Sequence, residues 1–550
     1  MHGLQTLTQL VTSGPAGFYI PVITIDDQPR FPWRGLMLDC SRHFMPVSLI
    51  ERTLDGMEAV KLNVFHWHLS DDQGFRAELH SLPKLTADGS DGLFYTREQM
   101  LEVIAYAHDR GIRVVPEIDM PGHVSAMLAA YPEFGSGSGP YSIERTWGVF
   151  NPALDPTREE TYRFIDKIIT QITEIFPDAY LHIGGDECNG KEWKTNPRIM
   201  RYMQQHGIVN DKGMQAYFSL RVQKIVAKHG KIPLGWEEIL QPETAKDVVI
   251  QSWHGPKQLL EAARSGHKVI LSKGYYLDLN LPAADHYAID PLPKEALQLT
   301  QEQQSNILGG EAAMWTEYVS EENVESRIWP RVEAVAERLW SPREATQDVN
   351  DLYRRMDQES PILEAYGLSP HKTYMRMLQR LSNGKNMPLL KTLADVEEPP
   401  KQHGRAYLGS YNSFIPLNHM VDAIPPESML AREFTSLCNQ ISKRNASPED
   451  LKRARELLTV WKQNGAMLEP TLSQSALTSD LASASAALTD AAKIGLSALN
   501  LMEINRKGTP AWQDTSLRSL TDDEKPHATM ILAITEPIKV LVRSISIQAN

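Results

Sequence analysis

Short apolar runs alternate with amphipathic stretches from about Trp33 to Trp340. The runs predict strands at Gly35 to Asp39, Leu62 to Leu69, Arg113 to Ile118 and Tyr180 to Ile183. Four more follow at Ile232 to Gly235, Val248 to Gln251, Val269 to Leu271 and Ile307 to Gly309. Between them, segments such as Arg97 to Arg110, Thr161 to Ile175 and Met214 to His229 carry apolar residues at helical spacing. Eight such alternations predict a parallel α/β fold, and the number favours a closed (β/α)8 TIM barrel over an open sheet. An open doubly wound sheet usually begins with a Gly-rich dinucleotide turn, and none is present.

Past residue 345 the strand signal fades. Ser447-Pro448-Glu449-Asp450 predicts a helix start: a capping hydroxyl, proline at the first helical position and acids in the first turn. Leu451, Ala454, Leu457, Leu458 and Trp461 then recur at helical spacing, and the Ala-rich run Ser473 to Leu501 predicts one or two more helices. The stretch Glu397 to Gly404 reads as a linker or long loop. The expected organisation is a lead-in over residues 1–32, a remnant of or link from a preceding domain. A barrel over 33–345 and an additional C-terminal α-helical domain over 346–550 follow.

The hydrophobic fraction of 42% and charged fraction of 23% are those of a globular protein with a sizeable core. The formal net charge of −13 is spread along the chain without a basic stripe, which excludes nucleic acid as an expected partner. Cys40, Cys188 and Cys438 are too few and too scattered for a disulfide framework or a structural zinc site, and read as buried thiols. No apolar stretch is long enough to span a bilayer, and no signal peptide is visible at the N-terminus. That pattern predicts a cytoplasmic protein, or a periplasmic or extracellular one if the start is truncated.

Barrel enzymes place their catalytic groups at the C-terminal ends of the strands. Here those ends are rich in carboxylates, histidines and tryptophans. The second strand runs into His66-Trp67-His68-Leu69-Ser70-Asp71-Asp72-Gln73, and the third ends Glu117-Ile118-Asp119-Met120-Pro121-Gly122-His123. The fourth ends His182-Ile183-Gly184-Gly185-Asp186-Glu187, the fifth Gly235-Trp236-Glu237-Glu238, the sixth Gln251-Ser252-Trp253-His254 and the eighth Met314-Trp315-Thr316-Glu317. Tryptophan faces stack on pyranose rings and carboxylates accept hydrogen bonds from hydroxyls, so the set predicts a sugar site. Glycoside hydrolysis needs carboxylates as well. Adjacent side chains on a regular strand point to opposite faces, so Asp186 and Glu187 can share a pocket only if Gly184-Gly185 takes the backbone out of strand geometry. In isolation, Gly-Gly-Asp-Glu would equally suit a polar turn.

The ordered motifs resemble glycoside hydrolase family 20, the β-N-acetylhexosaminidases, from about Gly3 to Trp340. They are Arg34-Gly-Leu-Met-Leu-Asp-Cys-Ser-Arg-His-Phe44, the second-strand run through Arg76, Glu117 to His123, His182 to Glu187, Tyr275-Tyr-Leu-Asp278 and Met314 to Glu317. The resemblance implies a retaining exo-enzyme that removes terminal β-linked GlcNAc or GalNAc through an oxazolinium intermediate, with no cofactor and no metal. Glu187 would be the general acid/base, Asp186 would orient the substrate's 2-acetamido group and Tyr276 would donate to its oxygen. Trp236, Trp253 and Trp315 would wall the pocket. Arg34, Asp278 and Glu317 would hold ring hydroxyls, with Asp71 and His123 in support. Strand logic alone points to Arg42 in place of Arg34, so Arg34 rests on the resemblance. The implied partners are β-linked N-acetylhexosaminide glycans, and a homodimer is the default expectation.

Two other readings compete. His66-x-His68 puts two imidazoles on one strand face, as in metal-dependent barrel hydrolases, but there the pair closes the first strand and here the second, and no Lys or further His at the expected strand ends completes the set. A non-catalytic glycan-binding barrel would use the same tryptophans and acids, yet it would be free to lose the Asp186-Glu187 pair. The spaced acidic signature of the related chitinase barrels is missing. Trp329 and Trp340, on a helix-like stretch, read as core.

Overall fold

The computed structural model describes residues 2–547 and resolves the chain into two compact units. The first comprises residues 1–278, 283–368 and 411–416, and the second residues 279–282, 369–410 and 417–550.

The first unit is a closed parallel barrel. Its strands are β1 (Trp33–Asp39), β2 (Val64–His68), β3 (Arg113–Glu117), β4 (Tyr180–His182), β5 (Ile232–Trp236), β6 (Val249–Ser252), β7 (Val269–Leu271) and β8 (Ile307–Met314). Each pairs with its neighbours in chain order, and β8 closes on β1 with Gly309 opposite Trp33 and Met314 opposite Leu38.

Side-chain alternation along the strands separates two cores. Leu36, Leu38, Phe65, Trp67, Leu181 and Ile250 join the large cluster that includes residues of the surrounding helices. The other parity points inward, where Trp33, Val64, Val115, Leu234, Val249 and Ile270 form one apolar layer. One step further along the same strands the inward positions turn polar: His66, Glu117, His182, Gln251 and Glu311, with Trp236 among them. Layered filling is how a barrel this size closes its interior. Gly35 belongs to that design, because a Cβ there would run into the Glu311 side chain.

The alternation of strand and helix holds with one exception. Between β5 and β6 the chain makes only the short turn Glu237–Ile239. Helix starts follow local chemistry: Thr96 Oγ accepts from Gln99 N at 3.2 Å, and the Gln99 side chain accepts from Thr96 N at 3.0 Å, before the helix Arg97–Asp109. The barrel unit extends beyond residue 345. Helix Val349–Ala365 packs Leu352, Tyr353 and Met356 against Ala283, Tyr287 and Ala334, so the division falls after Leu368. Residues 411–416 also group with the barrel: Ser413 N donates to Arg145 O at 2.8 Å, and the Tyr411 ring meets Tyr318 edge-on at 5.1 Å.

The second unit is helical and has its own core around Leu378, Phe434, Leu458, Trp461, Leu488 and Leu541. The helix Pro448–Leu472 begins where its sequence says, with Ser447 Oγ accepting from Asp450 N at 3.1 Å and Asp450 accepting from Ser447 N at 2.8 Å. The Ala-rich segment forms one helix, Ala482–Glu503. The stretch expected to be a linker instead opens with a strand, Glu397–Glu398, paired antiparallel with Ile531–Leu532. Glu397 is fully buried there, which its charge hid from a hydropathy reading.

Candidate active site

The site forms where β1 to β8 end. After β4 the backbone turns left-handed: φ is +62° at Gly184, +99° at Gly185 and +46° at Glu187. No side chain fits at Gly184, because its Cβ would overlap the Asp119 carboxyl. This departure from strand geometry brings the neighbouring carboxylates of Asp186 and Glu187 to the same imidazole. His123 Nε2 is 3.9 Å from Asp186 Oδ2 and 3.5 Å from Glu187 Oε2.

His123 is itself buried and faces Asp71 Oδ1 at 3.1 Å and Asp72 Oδ2 at 3.2 Å through Nδ1. Those acids hold it well above the usual histidine pKa, so it is an imidazolium despite its burial. Its positive charge keeps Glu187 below the ordinary glutamate range. Asp186 goes the other way: burial, followed by the charges of Glu117 and Glu187, outweighs His123 and pushes it up to about 6. Neighbouring carboxyls are thus set apart by their surroundings.

Asp71 ties this acid pair to the neighbouring cations and aromatics. Its Oδ2 lies 2.8 Å from Arg42 Nη1 and 2.8 Å from His68 Nε2. The Arg42 guanidinium stands 4.9 Å from the Trp315 ring centroid and acts on the charge of Glu317, which burial raises. Trp315 also meets His68 edge-on at 5.0 Å and lies 5.9 Å from Trp236. Trp236, 1% exposed, is the floor beneath that aromatic pair. Beside Trp315, Tyr276 bridges to Ala313 of β8 and is buried near the charges of Asp278, Asp186 and Glu238. Asp278 keeps a buried, unpartnered Oδ1 and sits well above the ordinary aspartate range because of burial and Glu317. Trp253 Nε1 donates to both carboxyl oxygens of Glu238 at 3.2 Å.

Beneath these groups four rings crowd around Glu117, of which His182 uses its Nδ1 to accept from Gly184 N at 3.0 Å. His68 Nδ1 is 2.5 Å and His66 Nε2 3.0 Å from Oε2; His182 Nδ1 is 2.8 Å and Trp236 Nε1 3.0 Å from Oε1. Against the cost of burial, the charges of these histidines hold Glu117 well below its ordinary range, as a carboxylate. His66, Glu117 and His182 come close enough together to hold a metal ion. Yet His66 directs one ring nitrogen at Glu117 and the other, at 2.7 Å, at Glu311, and both acids help raise its pKa to about 9.

One expected residue lies elsewhere. Arg34 is the second residue of β1, five residues before its end, which places it roughly 17 Å down the barrel at ~3.3 Å per residue. There its Nε donates to Lys61 O at 2.8 Å, Nη1 donates to Phe31 O at 2.7 Å and the guanidinium lies over Trp340. Arg34 therefore fastens the N-terminal end of the barrel, and Arg42 occupies the site. The motif contains both arginines, and only position relative to the strand end separates them. Asp72, Asp119, Glu117, His68 and Glu238 also join the site or its support without having been assigned a role from sequence.

The comparisons with known proteins agree with this geometry. Residues 31–343 match the catalytic domain of glycosyl hydrolase family 20. The β-hexosaminidase of Porphyromonas gingivalis is 36% identical over 404 residues, which is 67% of this chain and 52% of that protein. The human β-hexosaminidase subunit beta is 37% identical, over 68% of each chain. The crystal structure of Flavobacterium johnsoniae chitobiase superposes with a TM-score of 0.93 at 39% identity, covering 98% of this chain and 82% of that one. That likeness runs through the helical unit, which the motifs had left without a counterpart. The chain thus spans about half the length of its P. gingivalis relative, and with its barrel matched end to end it belongs to glycosyl hydrolase family 20.

Proposed function

We propose that the protein is a retaining exo-β-N-acetylhexosaminidase in which the substrate's own acetamido group is the nucleophile. The observation that carries this is the convergence of Asp186 and Glu187 on one imidazole nitrogen. Two carboxylates that flank a glycosidic bond as acid and nucleophile approach from different sides, about 5–5.5 Å apart, and usually from different strands. Adjacent residues serving one side leave the nucleophile to the substrate.

In this mechanism the acetamido carbonyl oxygen attacks the anomeric carbon while the bond to the aglycone oxygen breaks. Glu187 gives its proton to that oxygen. Asp186, ionised, accepts from the acetamido N–H and supports the positive charge that develops, and the Tyr276 hydroxyl donates to the acetamido oxygen. Water then attacks the same carbon, giving its proton back to Glu187, and the ring opens with retained configuration. Trp236, Trp253 and Trp315 shape the pocket, with Arg42, Asp278 and Glu317 placed for the ring hydroxyls and Asp71 and His123 holding the acid pair.

In the free site the order of the two carboxyls is the reverse of what the mechanism needs, since Asp186 is raised to about 6 and Glu187 lowered. A bound sugar corrects this by covering the half-exposed Glu187 and raising its pKa, while its N–H hydrogen bond stabilises Asp186 as the anion. Likeness to a chitobiase supports short β-GlcNAc oligomers as substrates. The test is hydrolysis of 4-nitrophenyl β-GlcNAc against the β-glucoside, with and without EDTA. Turnover of the N-acetyl sugar alone, indifferent to EDTA, is expected; equal turnover of both sugars overturns acetamido participation.

A further inference from the structure

Residues 411–416 group with the barrel although the chain on both sides of them belongs to the second unit. The mechanism above gives this excursion no task, yet it meets the barrel at two places beside the site. Tyr411 sets its ring edge-on to Tyr318, the residue after Glu317. Ser413 N donates to Arg145 O at 2.8 Å, and Arg145 follows Glu144, whose N donates to Asp72 O at 3.0 Å. Asp72 is in turn a partner of His123, so a continuous run of contacts leads from the segment to the imidazole that holds Glu187.

Phe414 stands in that segment with 72% of its surface exposed. One face of its ring lies on the Arg145 guanidinium, 4.7 Å from the centroid, and the other face is left open. The ring is nevertheless held in place. Asn412 Oδ1 accepts from Phe414 N at 2.9 Å and Asn412 O from Ile415 N at 3.1 Å, which closes a tight turn. Arg145 is pinned by both carboxyl oxygens of Asp91, with Nη2 donating to Oδ1 at 2.9 Å. A phenyl ring fixed in water has apolar area to bury and little conformational freedom left to lose on binding.

We propose that Phe414 is a stacking platform for the aglycone end of the substrate, a binding site for a β-linked pyranose unit beyond the one held in the catalytic pocket. The proposal rests on the hexosaminidase reading. On that reading the pocket takes one terminal sugar, and the remainder of an oligosaccharide passes Glu187 and crosses the rim. The open phenyl face matches the apolar C–H face of a pyranose ring. Polar atoms in the same loops favour a sugar over an apolar protein partner. Trp147 Nε1, Gln73 Oε1 and Ser413 Oγ are buried atoms with no hydrogen-bond partner among the described residues. Gln73 also fastens the loop, its Nε2 donating to Thr146 O at 2.8 Å. A hydroxyl-bearing ring offers such atoms both donors and acceptors, and an aliphatic surface offers neither.

The test is the dependence of KM on substrate length, measured for wild type, Phe414→Ala and Phe414→Tyr. The substrates are 4-nitrophenyl β-GlcNAc and the β-1,4-linked GlcNAc oligomers from dimer to pentamer. In Phe414→Ala the ratio of KM for the pentamer to KM for the nitrophenyl glycoside should rise roughly 2–10-fold over wild type, the worth of one aromatic stacking contact. Phe414→Tyr keeps the ring face and should restore the wild-type ratio. A ratio unmoved in Phe414→Ala overturns the platform, and it is the result expected if the ring docks a protein instead. A raised ratio that Phe414→Tyr does not reverse overturns it as well. The hydrolytic reading is judged separately, by wild-type turnover of the nitrophenyl glycoside. If that turnover is absent, calorimetric affinities of wild type and Phe414→Ala for the pentamer test the platform directly, and equal affinities overturn it.

Discussion

His123 Nε2 stands 3.5 Å from the Glu187 carboxylate, so the residue expected to give a proton is held by one that already carries its own. On the proposed mechanism substrate has to break into that ion pair before the acid can act, which separates the effects of removing the acid from those of removing its holder.

Glu187→Gln should lower kcat on chitobiose by about 10²–10⁴-fold, the usual worth of a positioned acid. Thiazoline affinity should change only a few-fold, because the pocket walls remain. Calorimetric titration of the variant checks the second part, and equal losses in turnover and affinity would show that Glu187 binds more than it protonates.

Asp186→Asn should stabilise the fold at neutral pH. The Asp186 pKa is raised from the ordinary 3.8 to about 6 on folding. Its contribution to stability is therefore fully present below the unfolded value and lost as pH rises through the folded one. Shifted by roughly two units at 1.36 kcal/mol each, the ionised carboxylate costs on the order of 3 kcal/mol at pH 7. Melting curves at pH 4 and pH 7 should show the variant gaining only at the higher pH, while hydrolysis falls.

Arg42 and Arg34 offer a paired test. Arg42→Ala removes the partner of Asp71 and the cation over Trp315, so kcat/KM should fall by at least ~10²-fold, as for a buried charge-assisted contact. Arg34→Ala should lower the melting temperature, through lost contacts to Lys61 and Phe31, with KM within a few-fold of wild type. The reverse outcome would return Arg34 to the site.

Gly184→Ala should be severely destabilising, through a φ of +62° and overlap with Asp119. A left-handed alanine alone costs roughly 1–2 kcal/mol, and the overlap adds to it. Expression with wild-type stability would mean that the turn carrying the acid pair can be built another way.

Much of this molecule was legible because strand periodicity and strand-end chemistry are local. All eight barrel strands lie where apolar runs were read, β8 running on to Met314. The unread parts are non-local. Glu117 is one acid among many in sequence, and its worth comes from neighbours on β2, β4 and β5. Arg34 and Arg42 share one motif, and three-dimensional height along β1 decides between them. Glu397 looked like part of a charged loop because nothing local announces that Ile531–Leu532 will cover it with a strand. Glu238 was passed over as the tail of a strand end, since its partner Trp253 belongs to the next one.

The two donors His68 and Trp236 on Glu117 give the site a hereditary property. Trp236 and the Asp71 partner His68 are oriented by opposite oxygens of one carboxylate, so neither can be exchanged without loosening the other. Successive substitutions there will be strongly epistatic, and new sugar preferences will arise more readily among the rim residues than from that floor. The deepest layer of the site is passed on as a block, and variation in this lineage should be found above it.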